Sequence, residues 1–254
     1  MHQIMLFLHY FWNGKRNPII KIKNRIMNLR LNVQIILIFI SLTLMAFKSS
    51  MRIDSSVNTE SNSSKSDFEG KIIYSLTFED KTGAMSKEQA KMFMGEQQIY
   101  TIKGNKYKSE MNGMMKMTQY YLGQDTLYNQ IGGMNNLFWI DATSNPDELI
   151  SYNIDKNVET IAGINCDLLT IKTKDGTTKY YFNTLYQLSP ENYGNHEYGF
   201  WKFCIDKTKS LPIKSVIDTK DVYMEIVAKE IKEMRIDDSE FNIPNLPRMK
   251  SPDK

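Results

Sequence analysis

The sequence predicts a mostly β protein (α+β), in which a curved antiparallel sheet forms an incomplete β-barrel and carries one or two short helices. Three observations predict this fold. Short segments in which apolar and polar residues alternate follow one another along the chain. Turns containing Gly, Asn or Asp join several of them as hairpins. Helical patterns are scarce, so the sheet must bury its apolar face by curling around its own side chains.

The first elements lie between residues 71 and 130. Alternation predicts a half-buried strand over 71–79. A short helix follows over 86–94, with Ser86 and Gln89 placed as a capping box and Gly95 as its end. Two hairpins come next. Their predicted strands are 98–102 with 107–111, and 118–122 with 126–130.

The second half is predicted to be strands as well. Short strands are expected at 137–140 and 151–154, and a hairpin turn at Asp175-Gly176. Residues 183–200, rich in Tyr, Asn and Gly, are predicted to form a long loop. Four aromatic residues of the slightly longer segment 183–204 are expected to form a lid or to pack the barrel mouth: Tyr193, Tyr198, Phe200 and Trp201. The remaining predicted strands are 167–174, 177–182, 212–218, 221–227 and a last short one at 241–244.

One segment is ambiguous, because residues 222–234 contain Glu, Lys and Ala that would equally support a helix. The first half of this segment is rich in β-branched and aromatic residues, and strands are therefore favoured.

The amino-terminal fifty residues contain seven Lys or Arg and no Asp or Glu, and they end in an apolar run over 33–47. The run is about fifteen residues long, which suits a signal peptide better than a membrane span of about twenty. Met27 offers a conventional start, so residues 1–26 are interpreted as an upstream extension and 27–50 as the leader. No good cleavage site follows, and an uncleaved anchor with its basic end in the cytoplasm stays open. We expect the periplasm or cell envelope, and membrane contact through 33–47 if the leader is uncleaved.

Charge and composition divide the rest of the chain. The whole chain has 32 basic and 29 acidic residues, but residues 51–254 have 25 and 29, so the excess of positive charge belongs to the leader. A nucleic-acid partner, which needs a basic face, is not expected. Residues 51–67 are predicted to be a disordered linker, 68–247 the incomplete-barrel domain and 248–254 a disordered tail.

The two cysteines, Cys166 and Cys204, admit two interpretations. An even number of cysteines in an oxidising compartment favours a disulfide, and this pair is the disulfide candidate. The alternative is two buried thiols that never meet, since cysteine is among the most buried residue types.

No catalytic constellation is present. His196 is the single histidine after the leader, and its loop setting predicts a solvated side chain. A multi-histidine zinc site is impossible in the domain, no cysteine pair has zinc-ligand spacing, and no phosphate-binding glycine motif occurs. We therefore expect no catalytic residues, no cofactor and no metal, and a non-enzymatic protein.

Eight methionines fall within residues 85–134, and three interpretations compete. Methionine is an adaptable core filler. It also suits a pliable lining for a lipid or acyl chain, with Met92, Met94, Met114 and Met117 as candidate ligand-binding residues. Thioether coordination of Cu(I) by the segment 111–117 is the least favoured of the three.

Several short segments resemble an uncharacterised envelope family, domain of unknown function 4412. They are Phe68-Glu-Gly-Lys-Ile-Ile-Tyr74, Glu159-Thr-Ile-Ala-Gly-Ile-Asn-Cys166, Tyr180-Tyr-Phe182, Lys209-Ser-Leu-Pro-Ile213 and Phe241-Asn-Ile-Pro244. That family is similar in fold to the lipoprotein carriers LolA and LolB, whose curved sheets surround an apolar cavity. The resemblance implies an incomplete barrel and an envelope location, but it supplies neither a ligand nor catalytic residues.

Together these observations predict a non-enzymatic envelope protein that binds a lipid or a lipoprotein acyl chain in a half-barrel cavity. The alternative is a structural or interaction module of an envelope complex whose core is filled. Cu(I) binding through the methionine-rich segment is a weaker alternative.

Overall fold

The fold is built around one antiparallel sheet. The computed structural model describes residues 67–251. The strands are β1 (Gly70–Asp80), β2 (Gln97–Lys103), β3 (Lys106–Met111), β4 (Thr118–Tyr121), β5 (Thr126–Gln130), β6 (Leu137–Asp141), β7 (Leu149–Ile161), β8 (Ile164–Thr173), β9 (Gly176–Gln187), β10 (Ser210–Thr219), β11 (Val222–Glu233) and β12 (Arg248–Lys250).

All twelve strands belong to a single sheet in the order β12-β6-β5-β4-β3-β2-β1-β11-β10-β9-β8-β7. Strands β1 to β6 are neighbours in chain order, and so are β7 to β11. The two halves meet where β1 pairs with β11, and the chain returns at its end so that β12 pairs with β6. The short β12 runs parallel to β6, and every other pair is antiparallel. Within residues 67–251 the sheet is not closed, because β12 and β7 each have one unpaired edge. The predicted mostly β, incomplete-barrel fold is confirmed.

Within residues 67–251, two short α-helices accompany the sheet. Helix α1 (Lys87–Met94) packs on β1 and has the predicted capping box, in which Ser86 accepts from the Gln89 backbone and Gln89 accepts from the Ser86 backbone. Helix α2 (Trp201–Thr208) contacts β8, β9 and β10. Single 3₁₀ turns occur at Pro190–Tyr193, Tyr198–Phe200 and Asp238–Phe241.

Alternation along the strands separates a buried from a polar face. We call the buried one the inner face. Its residues on the central strands include Ile72, Tyr100, Tyr107, Tyr121 and Leu127, each with at most 2% of its surface exposed. The opposite, outer face carries charged residues that form ion pairs across strands, such as Lys214 of β10 with Glu225 of β11. One buried face and one wet face explain why the period-2 pattern was readable in the sequence.

The prediction of a long loop over 183–200 is wrong in part. Strand β9 continues to Gln187, and α2 begins at Trp201. The helix was missed although Trp201, Cys204 and Ile205 have the i, i+3, i+4 spacing of a buried helical stripe. Its preceding Tyr, Asn and Gly residues form compact 3₁₀ turns instead of an open loop.

The strand predicted at 241–244 is also wrong, because a 3₁₀ turn occupies Asp238–Phe241. The Asp237 side chain accepts a hydrogen bond from the Ser239 backbone and starts this turn. Glu240 then forms ion pairs with Lys71 and Lys108 on the outer face. The last strand lies instead at Arg248–Lys250, within the segment expected to be a disordered tail.

The predicted leader, linker and start at Met27 lie outside the described residues and stay predictions. Among residues 67–251, no helix has the length and apolar character needed to span a bilayer.

Candidate functional site

Three tyrosines form a stack across the inner face. Tyr100, Tyr107 and Tyr121 project from the neighbouring strands β2, β3 and β4. The ring centroids of Tyr100 and Tyr107 are 5.0 Å apart, and those of Tyr107 and Tyr121 are 5.5 Å apart. The stack lies on the inner face of the sheet, and all three rings are buried.

Residues 188–208 cover this stack. Tyr193, His196 and Trp201 are fully buried there. The His196 ring centroid lies 4.5 Å from that of Tyr121, and the Tyr193 and Trp201 rings meet edge to face at 5.9 Å. The chain therefore fills its own inner face with aromatic side chains at this place.

A hydrogen-bond network connects the covering segment to the sheet. The Tyr107 hydroxyl and His196 Nε2 are 2.8 Å apart. Gln119 Nε2 donates to Asn129 Oδ1 at 2.9 Å, and Gln119 Oε1 lies 3.5 Å from the Tyr107 hydroxyl. All four side chains are buried. Paired buried polar groups of this kind favour one arrangement of the core over alternatives.

The electrostatics of this cluster disfavour proton transfer. Burial lowers the pKa of His196 to about 3, so its imidazole is neutral at pH 7. Burial also raises the pKa of the Tyr107 hydroxyl well above its usual value. An efficient general acid or base needs a pKa near the working pH, which neither group has. His196, expected to be solvated, is instead a buried packing residue.

No cluster of three or more His, Cys, Asp or Glu residues that could hold a metal ion occurs between residues 67 and 251. A small cavity of about 10 Å³ opens beside the network, and its lining includes the polar residues Ser109, Gln119 and Asn129 together with Met111 and Met117. That volume matches one water molecule and is far smaller than an acyl chain.

The four candidate ligand-binding methionines are divided between the core and the surface. Met94 and Met117 are buried in the core, whereas Met92 and Met114 are exposed by 46% and 63%. The backbone N–H of Met114 donates to the Met92 carbonyl at 2.9 Å and so caps the end of α1. Of the four, only Met117 lines the small cavity.

Cys166 and Cys204 form no disulfide with each other, and both are fully buried. Burial raises the pKa of the Cys204 thiol, which disfavours the reactive thiolate. The second interpretation of the cysteines, two buried thiols, therefore describes this structure.

The edge strand β7 presents the most exposed apolar side chains of the sheet. Ile150 is exposed by 64%, Tyr152 and Val158 by 45%, and Ile154 by 36%. Strand β7 is 13 residues long, and within residues 67–251 it pairs with β8 alone. Tyr152 is opposite Ile171, and Ile154 is opposite Leu169, two residues buried in the inner face. Tyr152 and Ile154 thus extend the inner face to the edge of the sheet, where no strand within residues 67–251 pairs with the outer side of β7.

Sequence reasoning missed the polar members of the inner face. Gln98, Ser109, Gln119 and Asn129 are all buried, and Gln98 Nε2 donates to Ser109 Oγ at 2.6 Å. A signal was available. Each of these polar residues is two positions from a buried tyrosine or leucine in the same strand, and residues two apart in a strand lie on the same face.

Comparisons with known proteins give little. A scan against protein-family models and a search of curated proteins found no match. Two solved structures of PNGF-II, in the C2 and P21 space groups, are similar to this chain with a TM-score of 0.40 and sequence identities of 12% and 9%. Each comparison covers 72% of this chain, which spans 31% of the length of PNGF-II.

Proposed function

We propose that this chain is a non-enzymatic interaction module of the cell envelope, with a filled core and a docking surface at the β7 edge. One observation carries the proposal. The residues Tyr193, His196 and Trp201 are fully buried against the inner face, in the space that a carried lipid would need. A sheet filled in this way is suited to present its edges and outer face to another protein.

The envelope location rests on the leader. Its basic residues and its apolar run over 33–47 favour export, and the resemblance to the envelope family of domain of unknown function 4412 agrees with that location. Membership of that family is part of the same proposal.

The docking surface is supported by exposure and by chemistry. Apolar side chains at a sheet edge, next to unpaired backbone N–H and C=O groups, are what a strand from another protein recognises. The Tyr152 ring packs edge to face on Phe203 of α2 at 5.1 Å, which holds it in place before any partner arrives.

Site-specific photo-crosslinking in cells tests this function. A photoreactive amino acid at Tyr152 of the full chain should yield a covalent adduct with a protein, because this side chain would face the partner. The matched control carries the same group at Lys229, an exposed position on the distant strand β11. Adducts with lipid at Tyr152, or equal protein adducts at both positions, would contradict the proposal.

A second candidate function is apolar-ligand carriage, with α2 as a lid. Left-handed backbone at both ends of the helix favours it, with φ of +60° at Phe200 and +48° at Lys209. Residues at element ends are where hinges absorb a change of conformation. Hydrogen exchange of the full chain with and without phospholipid micelles discriminates the two functions. A carrier would lose protection in α2 when lipid binds, whereas a filled module would show unchanged exchange there.

A further inference from the structure

We propose that the occupant of the β7 edge is a second copy of this chain. The two β7 strands would pair antiparallel about a two-fold axis at Asn153, so that one sheet continues through the dimer. The inference rests on the proposed docking function and names its partner.

The two edges of the sheet differ in how they are protected. Strand β12 has three residues, two of them Arg248 and Lys250, and Pro247 precedes it. Short, charged and proline-flanked edges are the usual defence against unwanted pairing. Strand β7 is long, has no proline and exposes Tyr152 and Ile154. The bulges of β7 and its charged residues Asp155 and Lys156 protect part of this edge, and among residues 67–251 the stretch with Tyr152 and Ile154 is the part left available for pairing.

Two irregularities define which part of β7 is available. The register with β8 shifts between Leu149 and Ser151, and again between Asp155 and Glu159, where Asn157 has a φ of +53°. Such bulges bend a strand and interrupt its edge. Between them the strand is regular over residues 151–155, and all five side chains are exposed.

These five residues, Ser151-Tyr-Asn-Ile-Asp155, are complementary to themselves. A two-fold axis at Asn153 places Tyr152 opposite Ile154 of the second copy, and Ser151 opposite Asp155. Aromatic residues opposite β-branched residues stabilise antiparallel pairs, and no like charges face one another. A closed dimer needs this kind of self-complementarity, because the same patch serves both copies.

Other registers fit less well. An axis at Tyr152 would pair Ile150, which lies in the first bulge, with Ile154 of the second copy. An axis at Ile154 would pair Lys156, which lies in the second bulge, with Tyr152 of the second copy. Pairing that offsets the two strands by an odd number of residues places the apolar face against the polar face. The axis at Asn153 alone overlaps both regular segments completely.

The neighbouring helix adds to the surface. Lys207 Nζ lies 4.8 Å from the centre of the Tyr152 ring, and Phe203 contacts the same ring. The Tyr152 ring is therefore fixed between α2 and the open edge, where Ile154 of the second copy would cover its exposed part.

Cysteine cross-linking of the full chain, extracted in detergent, tests the register. Asn153→Cys would lie on the axis, so that two copies link directly by a disulfide, while Lys229→Cys on β11 is the exposed control. A mixture of Tyr152→Cys and Ile154→Cys chains should link more than either chain alone. Cross-linking no greater at Asn153 than at Lys229 overturns the proposal.

Analytical ultracentrifugation of the same full chain tests the interface itself. The unchanged chain is expected to be a dimer, and the Ile154→Lys variant is expected to be a monomer, because the lysine would face Tyr152 of the second copy. The matched control is Val158→Lys, which alters another exposed residue of β7, within the second irregularity and outside the paired stretch 151–155, and this variant should remain dimeric. If the unchanged chain is monomeric, the two-fold pairing is overturned.

The photo-crosslinking at position 152 then decides the docking function. An adduct with a different protein would leave the docking function standing, whereas an adduct with lipid would contradict the docking function as well as the dimer.

Discussion

His196 is the residue whose environment differs most from its sequence context. Its neighbours in the chain are Asn, Gly and Glu, which are typical of an exposed loop, and nothing local indicates burial. The structure buries it completely, because turns on either side fold it under the tyrosine stack, where Tyr107 hydrogen-bonds to it. A contact between residues 89 positions apart is invisible to reasoning from local pattern.

Stability should fall as the pH drops from about 6.5 toward 3, since burial lowers the pKa of His196 to about 3. In that range the unfolded chain binds a proton that the folded chain does not, so acid favours unfolding. The slope is about 1.4 kcal/mol per pH unit for one histidine. Urea unfolding of the full chain at pH 7, 6 and 5 measures it.

The control is His196→Phe. This variant should be less stable at pH 7, and its free energy of unfolding should change less with pH above pH 5. Only histidines titrate strongly there, and His196 is the only one within residues 67–251. An equal slope in the variant would show that another group is responsible.

Removal of the Tyr107 hydroxyl should destabilise the fold. Tyr107→Phe leaves His196 Nε2 buried without its partner, which costs about 1–3 kcal/mol. Thermal unfolding followed by circular dichroism gives the difference. The comparison variant is Tyr223→Phe, whose hydroxyl is partly exposed and should lose little. Equal losses in both variants would argue against the buried network.

Among the elements, the end of α1 shows why the methionine-rich segment has its composition. The carbonyls of Met92 and Phe93 accept hydrogen bonds from the backbone of Met114 and Met115. The two backbones approach so closely that a Cβ on Gly113 would collide with the Phe93 carbonyl oxygen and the Gly95 nitrogen. The segment therefore has a packing role that its repeated methionines did not reveal.

Gly113→Ala should therefore destabilise the protein by about 1–3 kcal/mol, because the collision is with backbone that cannot move aside. Gly194→Ala is the matched control, since its nearest neighbour is at an ordinary contact distance and its φ of −52° suits alanine. Chemical denaturation of both variants measures the difference. A neutral Gly113→Ala would contradict the close approach of the two segments.

Elements with strict alternation were predictable, and those held by distant contacts were not. Strands β1 to β6 and the capping box of α1 follow from local pattern and turn residues. Helix α2 spans only two turns, and the 3₁₀ turn at Asp238–Phe241 depends on ion pairs with Lys71 and Lys108, more than 130 positions away. Such short elements are stabilised by tertiary packing, not by their own propensity.

For the whole molecule, the sequence predicted an open curved sheet but not what fills it. The strand pattern determines that one face is apolar, while the choice between a ligand cavity and a filled core depends on where residues 188–208 go. Those residues place Trp201 and Tyr193 against the sheet. The apolar side chains that stay exposed lie on the edge strand β7. Alternation in the sequence shows which residues share a face, but it does not show which strand lies at the edge of the sheet.

The central claim is that this sheet is filled by its own chain and docks through an edge. Native mass spectrometry of the full chain, released gently from the envelope, tests it most directly. We predict the mass of a protein complex, a pair of chains in the first instance, with no lipid adduct. A single chain that carries a stoichiometric phospholipid or acyl chain would contradict the account.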